Sequence, residues 1–266
     1  MIARVLTVAG SDSSGGAGIE ADLKTITAFG GYGCTCITGL TAQNTLGVQA
    51  VHPVPAAFVA LCLRAVMSDI GVDAIKLGML TNAEIINAVA DNLPTPVKLV
   101  LDPVMVSTSG AALLPDTAVD ILVARLLPKA TLITPNLPEA ARLTGLPVET
   151  PAQRLVAGQR LLAMGAGAVL IKGGHGAEAE LTDLLITPEQ VITITLPRLN
   201  SRHTHGTGCT LSASIATGLA QGLALEASVR RARAYLQNAI ATAPGLGAGH
   251  GPVNHLVQPF GHGNPF

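Results

Sequence analysis

Short apolar runs alternate along the chain with longer stretches of helical period. The runs at residues 5–9, 34–40, 74–77, 98–101, 131–133 and 168–171 predict strands. Between them, apolar residues recur at three- and four-residue spacing over 19–29, 56–70, 83–92, 117–127 and 152–164, the pattern of helices buried along one face. Strands alternating with helices imply right-handed crossovers and a mostly parallel sheet covered on both faces. Two further runs, 181–186 and 191–196, are joined by Thr-Pro-Glu-Gln and predict an antiparallel hairpin at one edge, followed by helices over 210–221 and 225–243. No linker or repeat divides the chain, so the expectation is one α/β domain over 1–260, with 261–266 as a loose tail.

Composition narrows the class. The core must come from Ala, Val, Ile and Leu, because hydrophobic residues make up 48% of the 266 while aromatics make up 2% and Trp is absent. Sixteen basic and 17 acidic residues give a formal charge of −1, which argues against nucleic acid as a partner. Mean hydropathy is +0.48, and no Asp, Glu, Lys or Arg occurs between residues 25 and 63. That stretch still does not predict a membrane span, since Gly30, Gly31, Gly33, Gly39, Gln43, Asn44, Pro53 and Pro55 break it. The first ten residues form too short an apolar run for a secretory signal. Four cysteines without a C-x-x-C pair suggest free thiols and a cytoplasmic protein. Cys34 and Cys36, two apart on a strand, should pack on one side.

In an open parallel sheet, ligands bind beyond the carboxyl ends of the strands. Six predicted strand ends carry polar or glycine-rich sequence there, which points to one composite site. The strongest chemical signal is His205-Gly-Thr-Gly-Cys209-Thr210 at the start of a helix, where glycines let backbone amides approach a phosphate and the helix dipole favours its charge. Cys209 lies in the first turn, where the dipole is expected to lower its pKa toward neutrality and make it a proton acceptor. Asp102 and Glu139 follow apolar runs and suit magnesium, although either could equally cap a helix. Lys172 ends a strand before two glycines and can reach phosphate oxygens, or simply sit in solvent. The first glycine cluster, Gly10 to Gly18, has no G-K-[ST] ending and does not fit G-x-G-x-x-G, so dinucleotide-dependent hydride transfer is a weak reading. Gly10 and Asp12 could instead hold a polar small substrate. Gln43 both donates and accepts, as an aminopyrimidine edge requires, though an amide there can also satisfy loop backbone. The scattered histidines show no zinc-ligand clustering.

Taken in order, Ala9-Gly-Ser-Asp-Ser-Ser-Gly-Gly-Ala-Gly-Ile-Glu-Ala-Asp-Leu-Lys-Thr25, Leu40-Thr-Ala-Gln-Asn-Thr45, Leu77-Gly-Met-Leu80, Thr134-Pro-Asn-Leu-Pro-Glu-Ala140, Lys172-Gly-Gly-His175 and Thr204-His-Gly-Thr-Gly-Cys-Thr-Leu-Ser-Ala213 resemble the hydroxymethylpyrimidine/phosphomethylpyrimidine kinases of thiamine biosynthesis. The likeness spans roughly residues 4 to 255. It implies a ribokinase-like, three-layer α/β/α sandwich and two ATP-dependent phosphorylations at one site, first of the hydroxymethyl group and then of the monophosphate. It further implies that Gln43, Asp12 and Met79 bind the pyrimidine, that Cys209 faces the reacting oxygen, and that Gly206, Thr207 and Gly208 form an anion hole. Lys172 would meet the phosphates, with Thr207 and Gly208 beside it on ATP, while Asp102 and Glu139 would hold Mg2+ and the protein would be a homodimer. Cysteine where much of the superfamily has an aspartate base is shared with a group of pyridoxal kinases, so pyridoxal is an alternative substrate. Glu20 and Gly39 depart from the residues common in the family, Gln and Ala, and neither is expected to touch the chemistry. A non-catalytic pyrimidine or nucleotide sensor is a reading from another class; the joint presence of Lys172, Cys209, Asp102 and Glu139 argues against it.

Overall fold

The computed structural model describes residues 1–107, 109–175 and 180–259. Among the described residues, nine strands form one sheet: β1 (Arg4–Asp12), β2 (Tyr32–Asn44), β3 (Gly47–Pro53), β4 (Ala74–Leu77), β5 (Leu99–Leu101), β6 (Leu132–Ile133), β7 (Val169–Ile171), β8 (Glu180–Ile186) and β9 (Val191–Pro197). Their order is β3-β2-β1-β4-β5-β6-β7-β8-β9. The pairs from β2 through β7 are parallel, and β8 and β9 form the expected antiparallel hairpin at one edge. The predicted tail, 261–266, lies outside the described residues.

Helices cover both faces. On one lie α2 (Ala56–Asp69), α3 (Ala83–Asn92), α4 (Asp116–Arg125), α5 (Leu137–Thr144) and α6 (Pro151–Ala163); on the other lie α1 (Gly18–Ala28), α7 (Thr207–Ala220) and α8 (Leu225–Ala241). Strand alternation feeds the two layers separately. Leu99, Leu101, Ile133, Val169 and Ile171 enter the first core, together with Cys34 and Cys36, while Val5, Val100, Leu132 and Leu170 enter the second. Both faces of the central strands are therefore apolar, which explains why these runs lack a polar alternate. Among the described residues, no helix is long and apolar enough to cross a membrane.

Two elements differ from the sequence expectation. β3 pairs antiparallel with the outer half of β2, so the sheet has an antiparallel edge on this side as well. Its residues are mostly exposed, and with no buried face its sequence carries no hydrophobic period. The second is α5, eight residues long and too short for a period to show; it is started by a capping box in which Asn136 Oδ1 accepts the Glu139 N–H and Glu139 Oε2 accepts the Asn136 N–H, both at 2.8 Å.

Candidate active site

The strand ends open into a cavity of about 530 Å³, lined by Gly10, Gln43, Met79, Lys172, Cys209 and neighbouring residues. Its charged end is built by β5, β6 and β7. Lys172, held just past β7 by its N–H on Pro135 O (2.9 Å), donates from Nζ to Asp102 Oδ1 at 3.0 Å and lies 4.0 Å from Glu139 Oε2. Asp102 also accepts Thr134 Oγ1 (3.1 Å), and Ser212 Oγ of α7 lies 3.3 Å from its other oxygen. Burial opposes the charge on Asp102, but Lys172 and Lys76 outweigh it and hold the carboxyl below its ordinary value. At Glu139 burial prevails over the more distant Lys172 charge. Burial pushes the carboxyl up to about 7, with the Asp102 charge adding to the shift and Lys172 opposing it.

Above this cluster stands the N-terminus of α7. Gly206 takes φ 80°, and a Cβ there would lie 1.8 Å from Gly16 O, so only glycine lets the two loops meet. At Gly208 an added methyl would come within 3.3 Å of Asp102 Oδ2 and 3.5 Å of Lys172 Nζ. The Thr207 N–H makes a long bond to Thr204 O (3.3 Å), outside the helix, and the first-turn amides have no carbonyl partner within it, an arrangement suited to phosphate oxygens.

Cys209 accepts the Gly18 N–H on Sγ at 3.4 Å. The lowered thiol pKa expected from the helix dipole is not what the structure provides. Burial pushes Cys209 up to about 11 despite the Gly18 N–H and the nearby Lys76 charge, because desolvation acts on the whole thiolate while the dipole supplies a fraction of a charge. Lys76 itself is fully buried in β4, and its Nζ donates to both oxygens of an equally buried Asp22 of α1, at 3.0 and 2.8 Å. Thr7 Oγ1 donates to the same carboxylate at 2.5 Å. Burial opposes the Lys76 charge, yet Asp22 keeps it protonated. This pair escaped the sequence reading, in which a lysine inside the run Ala-Ile-Lys-Leu carries no sign of its partner 54 residues away.

At the other end of the cavity, the methyl of Met79 lies against Gly10, whose Cβ, if present, would meet it at 2.3 Å. The Asp12 carboxylate is committed to its own loop: Oδ1 accepts the Ser14 N–H (2.9 Å), and Oδ2 accepts those of Gly16 (3.1 Å) and Ala17 (2.8 Å). His205 Nε2 lies 2.7 Å from the same Oδ2. Burial works against ionisation of Asp12, but the hydrogen bonds from His205 and Ser14 prevail and lower its pKa. Asp12 therefore shapes the loop that Gly10 and Gln43 flank, and a direct hold on substrate would have to compete with these bonds. Glu20 also proves to be part of this loop, because its carboxylate accepts Ser11 Oγ at 2.6 Å and the Asp12 N–H at 2.7 Å. The sequence places Glu20 outside the chemistry and gives His205, at the head of the glycine-rich segment, no partner; its bond to Asp12 spans 193 residues and is revealed by the fold.

The cavity thus gathers Gly10, Asp12, Gln43, Met79, Asp102, Glu139, Lys172, Gly206, Thr207, Gly208 and Cys209, every residue singled out from the sequence. Residues 12–254 match the family model described as phosphomethylpyrimidine kinase. The thiamine biosynthesis bifunctional protein of Geobacter sulfurreducens is 51% identical over 255 residues, which are 95% of this chain and 52% of that protein, so the chain spans about half of that relative's length. The hydroxymethylpyrimidine/phosphomethylpyrimidine kinase of Salmonella typhimurium is 49% identical over 94% of this chain and 96% of its own. Among solved structures, the ADP complex of Bacillus subtilis pyridoxal kinase superposes with a TM-score of 0.89 at 35% identity, covering 96% of this chain and 98% of that one. With this fold, these strand-end residues and matches of this extent, the chain belongs to the phosphomethylpyrimidine kinase family.

Proposed function

We infer that this chain transfers the terminal phosphoryl group of ATP to the hydroxymethyl oxygen of 4-amino-5-hydroxymethyl-2-methylpyrimidine, and then a second one to the phosphate so formed, in thiamine biosynthesis. The observation that carries this reading is the single cavity joining an amide-and-methionine wall, Gln43 and Met79, to the Lys172 and α7 cluster. Gln43 pairs with the aminopyrimidine edge. Gly10 and Met79 bound the ring, and Asp12 holds their loop. The first-turn amides of Gly206, Thr207 and Gly208, with Lys172, take the charge of the transferring group, where positioning and electrostatics supply most of the catalysis. In the first step a bond forms from the alcohol oxygen to phosphorus, the bond to the ADP oxygen breaks, and the alcohol proton passes to the thiolate form of Cys209.

The residues fit a magnesium ion in a restricted sense. Among the described residues no group of three or more ligand side chains converges, so there is no protein cage. Two buried carboxylates there face one ammonium, Lys172, and the burial that raises Glu139 to about 7 is a charge cost that a cation would offset. Asp102 and Glu139 would hold Mg2+ in the manner usual for that ion, with one or two carboxylates and the remaining positions left to water and phosphate. When bound it would neutralise charge on the phosphate oxygens.

One kinase domain over residues 1–260, acting as a cytoplasmic homodimer, completes the proposal. Sedimentation of the purified chain tests the dimer. The fold similarity to a pyridoxal kinase keeps pyridoxal as a second candidate substrate. An ATP-coupled assay with hydroxymethylpyrimidine, its monophosphate and pyridoxal decides among them: ATP consumption with both pyrimidines is expected, and none with either overturns the reading.

A further inference from the structure

His205 Nε2 lies 2.7 Å from Asp12 Oδ2 and 3.2 Å from the amide end of Gln43, while the other end of that amide lies 3.2 Å from Thr41 Oγ1. Thr41 Oγ1 also lies 3.0 Å from the carbonyl oxygen of Ser11. Each of these atoms has a direction. An ionised carboxylate only accepts, so Nε2 carries a hydrogen and spends it on Asp12, whether the ring is neutral or charged. A backbone carbonyl only accepts, so the single hydroxyl hydrogen of Thr41 goes to Ser11. With Nε2 of Gln43 facing His205 and Oε1 facing Thr41, the first contact sets donor against donor, and the second leaves Oε1 facing a hydroxyl whose only hydrogen is already used. Turning the amide over gives Thr41 Oγ1 an amide N–H to accept and removes the donor-on-donor contact at His205, where the Gln43 carbonyl becomes the second, longer acceptor of the Nε2 hydrogen that Asp12 shares. The two ends of a glutamine amide have nearly the same shape, so their hydrogen-bond partners decide between them.

We propose that His205, held by Asp12, is a positioning residue that fixes the Gln43 amide with its carbonyl toward the imidazole and its NH2 toward Thr41. This rests on the reading of Gln43 as the pyrimidine contact. The remaining lone pair and N–H of the amide then face the cavity in one order. An aminopyrimidine edge presents an amino donor beside a ring-nitrogen acceptor, and it pairs with that order in only one orientation. Reversing the amide turns the ring over, which carries the hydroxymethyl group from one side of the pairing axis to the other. The histidine before the anion-binding glycines therefore selects the ring face from which the alcohol meets the phosphoryl group. It couples the two ends of the cavity through a single side chain.

The test uses the intact chain labelled with 15N-histidine, the His205 signal being assigned by its loss in His205→Gln. A proton on Nε2 throughout pH 6 to 8 is expected; a bare Nε2 lone pair overturns the proposal. Kinetics supply the second arm. His205→Leu should raise the KM for hydroxymethylpyrimidine on the order of ten- to hundredfold while the KM for ATP stays within about twofold. His205→Gln, which keeps a donor for Asp12, should recover most of the loss. Equal losses toward both substrates, or no recovery in His205→Gln, would make the residue merely structural and overturn the proposal, and if His205→Leu does not fold, the labelled spectrum decides alone. Failure of the substrate reading looks different: Nε2 is protonated as expected, but Gln43→Ala leaves the specificity for the pyrimidine unchanged.

Discussion

A thiol at about 11 sets a quantitative trap for the role of Cys209. A protonated thiol cannot take a second proton, so only its thiolate can accept the one leaving the alcohol. At pH 7 that form is about one part in ten thousand, and at pH 9 about one in a hundred, for a pKa about four and two units above the solution. If the thiolate is the base, kcat for hydroxymethylpyrimidine should rise about a hundredfold between pH 7 and 9, close to tenfold per unit. The monophosphate is already ionised in this range, its second pKa being near 6, so the second step should stay nearly flat. The perturbation is Cys209→Ala, measured by quenched-flow turnover of the two substrates at saturating ATP. Loss of the slope for the alcohol is expected, with a fall of no more than about 10²–10⁴ where the thiolate contributes, and little change for the monophosphate. A slope that survives in Cys209→Ala, or equal losses on both substrates, would refute proton transfer and leave Cys209 as part of the cavity wall.

Three other outcomes follow from the geometry. Gln43→Ala should cost about 1–3 kcal/mol in the specificity constant for the pyrimidine, ten- to more than a hundredfold, with the KM for ATP unchanged, as steady-state kinetics with each substrate varied would show. Asp102→Ala and Glu139→Ala should each raise the magnesium concentration needed for half-maximal turnover; because Glu139 must lose a proton near pH 7 to bind a cation, wild-type affinity for the ion should tighten from pH 6 to pH 8, and a titration flat in pH would contradict this. His255, buried with Nε2 3.0 Å from Thr210 Oγ1, is pushed down to about 4 by burial, with Lys24 adding to the effect. The unfolded chain then binds a proton below about 6.5 that the folded chain refuses until about 4. Stability should accordingly fall as pH drops through that window, by at most about 3 kcal/mol, and urea unfolding of His255→Gln should show a weaker dependence.

The central strands and most helices were legible because burial on both sides of the sheet writes itself as apolar runs and three-to-four spacing. β3 and α5 were not, the one having no buried face and the other too few turns. Glu139 could be read from the sequence either as a magnesium ligand or as a helix cap; in the structure it caps α5 with Asn136 and also faces Lys172, so the two readings do not exclude each other. Residue identities at the strand ends were readable because position in a parallel sheet already places them in one crevice. What those groups do electrostatically was not. The Cys209 pKa depends on desolvation by the surrounding protein, and the Lys76–Asp22 and His205–Asp12 pairs join residues far apart in sequence.

α7 is buried from Thr210 to Leu219, and its interior consists largely of small residues. Ser212, Ser214 and Thr217 return their hydroxyls to carbonyls of the preceding turn, and a Cβ on Gly218 would meet Ser228 Oγ at 2.7 Å. Such a helix has no slack: it cannot slide or tilt without opening a void or a clash along its whole length. The amides at its head are consequently a fixed reference against which the substrate must be brought. Changes of substrate within this scaffold should therefore accumulate at cavity residues outside α7, such as Met79, Val106 and Leu113, where side chains can be exchanged without moving the anvil on which the phosphoryl group is struck.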